Sequence, residues 1–124
     1  MPFDVRVLRD ISGDEPQAMV ELVECFDEVA TGMRAGLLQA AADGDAGQAA
    51  MLAHSLKSSS RALGAMVLGE LCAELEAYGG AGRLARIKPA VTAVVGELDA
   101  ALAAMRHWRA AQPPASPWQG RSNA

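Results

Sequence analysis

The chain has 124 residues, 51% of them apolar and only 4% aromatic, with a net charge of −4. That suits one domain with one core and argues against nucleic acid as a partner, which needs a concentrated basic surface. No apolar run reaches the roughly 18 residues that span a membrane, and MPFDVRVLRD at the start lacks the basic-then-apolar pattern of a secretory signal. The two cysteines, Cys25 and Cys72, form neither a disulfide framework nor a CxxC metal pair, so a reduced, cytoplasmic setting is expected.

Alanine supplies much of the apolar content, which favours helix over strand. Residues 4–11 (DVRVLRDI) predict a short first helix. Asp14 is a candidate cap for the next, with Pro16 in its first turn and Gln17 three residues after the cap. From there Met19, Leu22, Phe26, Val29, Met33 and Leu37 make one apolar stripe, ending near Ala42 before a DGD turn. Asp45 caps a third helix, with Gln48 at the third position, running to about Leu63 and stopping at Gly64. A fourth carries Leu68, Leu71, Leu75 and Tyr78 and is broken by GGAG at 79–82. The fifth carries Leu84, Ile87, Val91, Val94, Leu98, Leu102 and Met105; Pro89 predicts a kink, or a start just before it. The tail from Ala111 has no periodicity and reads as disordered. Short connections between amphipathic helices favour antiparallel neighbours. The expected fold is therefore all-α: an antiparallel up-down-up-down four-helix bundle with an additional short N-terminal helix, over residues 1–110.

The stretch LAHSLKSSSRALGA, residues 52–65, holds the chemistry. At about 100° per residue, Leu52, Leu56, Ser59 and Leu63 share an inward face. His54 falls almost opposite, with Ala50, Lys57, Ser58 and Arg61 within about 60° of it. An exposed neutral imidazole is a nucleophile near neutral pH. A phosphoryl group on its outer nitrogen would lie beside Lys57 and near Arg61, and small neighbours leave room for a partner's active site. The Ser58 hydroxyl, one turn on, is within reach of the ring and could accept from Nδ1–H, or could instead bond a backbone carbonyl. Geometry alone leaves open that His54 is simply solvated. No second His, Cys or carboxylate sits at i+3 or i+4 to make a metal site. His107, near the end of the last helix, is read as incidental.

At these residues the chain resembles the histidine-containing phosphotransfer (HPt) domains of bacterial phosphorelays. The family pattern is AH-x-LKG, then LGA, then L-x-x-L-C-x-x-LE. Here Ala53, His54, Leu56 and Lys57 match the first part, and Leu63, Gly64 and Ala65 the second, with Gly64 ten residues after the histidine. Leu68, Leu71, Cys72, Leu75 and Glu76 match the third. Ser58 stands where the family has glycine, which puts the transfer rate in question. The resemblance implies a phosphocarrier, not an enzyme in its own right. His54 accepts a phosphoryl group from one receiver-domain aspartate and passes it to another, with Lys57 and Ser58 beside it. Ala50, Met51, Arg61 and Gly64 are the candidate docking residues. The implied partners are response-regulator receiver domains and a hybrid sensor kinase, with Mg²⁺ held by the receiver and no cofactor or metal here. An exposed carrier site favours a monomer. The alternatives are a non-catalytic interaction module for a receiver or kinase, and a domain excised from a hybrid kinase.

Overall fold

The computed structural model describes residues 2–113. It contains five helices: α1 (Val5–Ser12), α2 (Pro16–Asp43), α3 (Ala46–Ala62), α4 (Met66–Gly80) and α5 (Leu84–Ala110). The last four form the antiparallel up-down-up-down bundle, in which α2 packs on α3 and α5, and α4 on the same two helices. The short α1 packs against α2 and α3. The last helix ends at Ala110, and residues 114–124 of the expected tail lie outside the described residues.

Most of the predicted ends hold for local reasons. The Asp45 side chain accepts from the Gln48 backbone N–H at 3.0 Å, and Asp4 caps α1 by accepting from Arg6 N–H at 2.9 Å. The cap of α2 differs from expectation. Glu15 occupies the cap position and makes no side-chain cap hydrogen bond. Asp14 instead follows Gly13 into the left-handed region, at φ 64°, where its carboxylate pairs with Arg9 at 3.0 Å. The turn after α1 consumes the residue that would have capped α2. Pro16 begins that helix, as its missing N–H allows. In α5 the helix runs unbroken through Pro89 from Leu84.

The core is built from thin side chains on α3 and broader ones elsewhere. Ala49, Ala53, Leu56 and Ser60 are the buried residues of α3, set against Leu68, Cys72 and Leu75 of α4. The inward face of α3 is thus rotated from the predicted Leu52–Leu56–Ser59–Leu63 stripe, and Leu52 and Ser59 are only half-buried. Ser60 stays buried because its hydroxyl donates to the Leu56 carbonyl at 2.7 Å. On α2, Met19, Phe26 and Leu37 are buried as predicted, but Leu22 and Val29 are exposed. The helix serves two neighbours at once, and its core face runs through Val23, Ala30 and Ala40 as well. Leu84 is likewise exposed at the start of α5. Both thiols are free, Cys25 exposed and Cys72 buried.

Two features fix the frame. Between α2 and α5, Arg34 pairs with Asp99, Arg106 with Asp27 and Arg109 with Glu24. The first two are two-pronged, which adds geometric register to pairs that are individually worth about 1 kcal/mol or less at a surface. At the other side, Gly64 turns the chain between α3 and α4 at φ 80°. Its carbonyl accepts from Asp4 N–H at 3.1 Å, tying the start of α1 to this turn. A Cβ on Gly64 would stand 2.5 Å from the Asp4 carbonyl oxygen. Gly64→Ala therefore combines a left-handed backbone, costing about 1–2 kcal/mol, with a backbone clash. It should lower the thermal midpoint by about 5 °C or more. Gly96→Ala, in open space on α5, should stabilise by about 0.5–1 kcal/mol. Thermal unfolding followed by circular dichroism reads both, and the opposite signs check the assignment.

Candidate functional site

Helices α3 and α4 form a hairpin about the Gly64–Ala65 turn, so residues equally far from Ala65 face one another. His54 lies eleven residues before it and Glu76 eleven after. The Glu76 carboxylate bridges two side chains of α3. Its Oε2 accepts from His54 Nδ1 at 2.6 Å, and its Oε1 accepts from the Lys57 ammonium at 2.5 Å. Exposure grades across the trio. The side chain of His54 is 66% exposed, Glu76 30% and Lys57 21%. The imidazole therefore has one nitrogen tied to the protein and its other edge toward solvent.

The charge state follows from this geometry. The neighbouring Lys57 ammonium holds the Glu76 carboxyl below the usual glutamate range, with the His54 hydrogen bond adding to the effect against some burial. An ionised carboxylate can only accept, so Nδ1 carries the hydrogen. That leaves the Nε2 lone pair facing outward in the neutral ring.

The predicted site residues divide. His54 and Lys57 come together through Glu76. Ser58 lies on the outermost line of α3, exposed, and its hydroxyl makes no side-chain hydrogen bond among the described residues. The Nδ1 partner considered for Ser58 is instead the Glu76 carboxylate: the ring leans toward α4, and a carboxylate is the stronger acceptor. Met51 is 62% exposed beside this face. Ala50 is half-buried against α4. Arg61 is exposed and makes no ion pair among the described residues; its stem lies over Gly69, whose Cβ would meet the Arg61 Cγ at 2.7 Å. Gly64, expected on the docking surface, is buried under Asp4 and belongs to the frame. His107 sits exposed in the last turn of α5.

Glu76 is the functional residue that spacing along α3 could not supply, because it comes from the next helix. The hairpin reflection about Ala65 is the signal that finds it. Behind the trio, burial pushes the Cys72 thiol up to about 12, so it fills space as an apolar group. On the other flank of α3 an apolar groove of about 230 Å³ runs between α2 and α3, lined by Leu22, Cys25, Val29, Met33, Ser59 and Ala62. Among the described residues no His, Cys, Asp and Glu cluster is arranged to hold a metal ion.

Removing the cation should let the carboxyl relax. In Lys57→Ala, Glu76 should titrate at higher pH than in the wild type, nearer ordinary glutamate. Carbon-13 NMR of the Glu76 carboxyl across an acid titration reads this. In the wild type the carboxylate contacts are complete above the ordinary glutamate range and lost only as pH falls through the lowered value.

Comparison with known proteins bears on the same region. A family model described as the Hpt domain matches residues 18–108. Among solved structures, the chain is similar to the crystal structure of histidine-containing phosphotransfer protein B (HptB) from Pseudomonas aeruginosa PAO1. The two share 25% sequence identity and superpose with a TM-score of 0.82, over 90% of this chain and 97% of that one. No curated protein sequence matches.

Proposed function

The chain belongs to the Hpt domain family and is a histidine phosphotransfer protein of phosphorelays, and we propose that His54 is the residue on which it carries the phosphoryl group. One observation carries this reading: His54 Nδ1 is engaged by Glu76 while the ring is largely exposed, so Nε2 is the nitrogen offered to a partner. Proteins of this kind interact with receiver domains and kinases. The receiver brings the acyl phosphate, the acceptor aspartate and its Mg²⁺; this chain brings the nucleophile.

In the step itself the Nε2 lone pair attacks phosphorus. The P–N bond forms as the P–O bond to the receiver aspartate breaks, and the electron pair leaves on that carboxylate. Nδ1 keeps its hydrogen throughout, so positive charge develops on the ring. The Glu76 carboxylate, 2.6 Å away, stabilises that charge. Lys57 keeps Glu76 ionised and adds a cation one turn from the incoming phosphoryl oxygens. Return transfer to a second receiver runs the same step backwards.

The docking surface is the exposed face of α3 with its borders. Met51 and Ser58 flank His54, Arg61 offers a free guanidinium two turns on, and the apolar groove beside Ser59 accepts side chains of the partner. Ala50 borders that face from the α4 side. Ser58, in place of the family glycine, shapes this surface and takes no part in tautomer control. Among the described residues no helix is long and apolar enough to cross a membrane. We assign a cytoplasmic monomer that needs no cofactor of its own.

Incubation with a phosphorylated receiver tests the acceptor. His54→Gln should fold and take no label, whereas His107→Gln should label like the wild type. Label retained in His54→Gln refutes the assignment.

The supporting residues should affect rate and leave the acceptor chemistry possible. Glu76→Gln keeps an acceptor for Nδ1–H but removes the charge, and should slow transfer by about tenfold, or 1.4 kcal/mol of barrier. Lys57→Ala should slow it several-fold. Stopped-flow transfer from one phosphorylated receiver measures both.

A further inference from the structure

Glu76 has a short side chain, so it can bridge His54 and Lys57 only where α3 and α4 approach closely. One point of close approach is Gly79. A Cβ built there would stand 2.6 Å from the Ala50 Cβ and 2.7 Å from the Ala46 carbonyl oxygen. Neither can swing aside, since one is a methyl fixed to the helix and the other is backbone. The adjacent Gly80 differs: a Cβ there would meet nothing within 4 Å. Two neighbouring glycines in the last turn of α4 thus answer to different constraints, and only Gly79 is required by the facing helix. Gly69, on the same seam, covers a flexible part of Arg61 and leaves the helix spacing alone.

Gly79 lies nearly one turn beyond Glu76 on the same face of α4, and Ala50 one turn before His54 on α3. The glycine contact and the carboxylate bridge are consecutive rungs of one ladder. We propose that Gly79 is a positioning residue for phosphotransfer, holding α4 close enough to α3 for Glu76 to reach His54 Nδ1; this rests on the reading of His54 as the phosphoryl acceptor.

The distances say why one methyl group matters. To restore ordinary carbon contacts a residue with a Cβ at position 79 must push the helices apart by about 1 Å. The Nδ1–Oε2 contact is 2.6 Å, and N–H···O hydrogen bonds lose their strength beyond about 3.2 Å. A rigid imidazole cannot follow the receding carboxylate. The flexible Lys57 can, so Glu76 keeps its cation and loses the ring. The nitrogen that carries the hydrogen is then no longer fixed, and a fraction of His54 presents N–H where the lone pair is needed.

The test uses the full chain with Gly79→Ala and, as a control of equal helix propensity, Gly80→Ala. Circular dichroism verifies folding, nitrogen-15 shifts of the His54 ring report which nitrogen is protonated, and stopped flow measures transfer from a receiver domain phosphorylated with acetyl phosphate. Gly79→Ala should lower the share of the Nδ1–H tautomer and slow transfer by about fivefold, with little further loss when added to Glu76→Ala, which has no acceptor left to position, because coupled residues are not additive. Gly80→Ala should match wild type in both readings. Should Gly79→Ala fail to fold, Ala50→Val enters the same contact from the α3 side and should show the same signature. An unchanged tautomer in the folded variant overturns the proposal. So does an equal loss of rate with and without the Glu76 carboxylate, since that would be general damage to packing. Label surviving in His54→Gln would refute the acceptor assignment instead, while a tautomer shift in Gly79→Ala would still stand.

Discussion

One carboxylate organises the site. Glu76 accepts from His54 with one oxygen and from Lys57 with the other. Without the lysine, the Glu76 carboxyl would lose the main cause that holds it below the usual glutamate range. Without the histidine, the lysine and glutamate would be an ordinary partly buried pair. Together they give an exposed imidazole a defined tautomer, without a pocket and without burying the ring. That matters for a carrier, whose reactive atom must fit into another protein's active site in both directions.

The scaffold reflects this demand. The seam between α3 and α4 is made of small residues, Ala49, Ala53 and Gly79 among them, and brings the two helices together where the bridge forms. The seam between α2 and α5 is bridged by long side chains in ion pairs, with Asp27 and Asp99 both kept below the usual carboxylate range by their arginines. The bridge from Glu76 to His54 and Lys57 lies on the first of these seams. The chemistry therefore belongs to the α3–α4 pair, while the salt-bridged pair supplies register on the far side.

Much of this was legible in the sequence, and the reasons for the gaps are physical. Helix count and order followed from apolar spacing, from the Asp45 cap and from glycines at the turns. His54 and Lys57 could be placed near one another because both belong to a single helix, although the structure exposes the His54 ring and leaves Lys57 largely covered. The Asp14 cap failed because a left-handed turn and Arg9 competed for the same side chain. The α2 stripe was only partly right because packing against two neighbours shifts the buried arc toward Val20, Val23, Ala30 and Ala40, leaving Leu22 and Val29 at the surface. Gly64 was expected among the docking residues; the packing of Asp4 over it is a contact between distant segments that the sequence does not display.

Glu76 is the instructive omission. A wheel drawn for α3 has no place for a residue of α4, and the surface histidine looked isolated for that reason. Once two helices are joined by a tight turn, the residues that face each other are set by counting outward from it, and His54 meets Glu76 at equal distance from Ala65. The same count brings Arg61 to Gly69. It therefore explains both the charge partner that His54 has and the one that Arg61 lacks: position 76 carries a carboxylate, and position 69 carries no side chain. The guanidinium is left with no ion pair among the described residues.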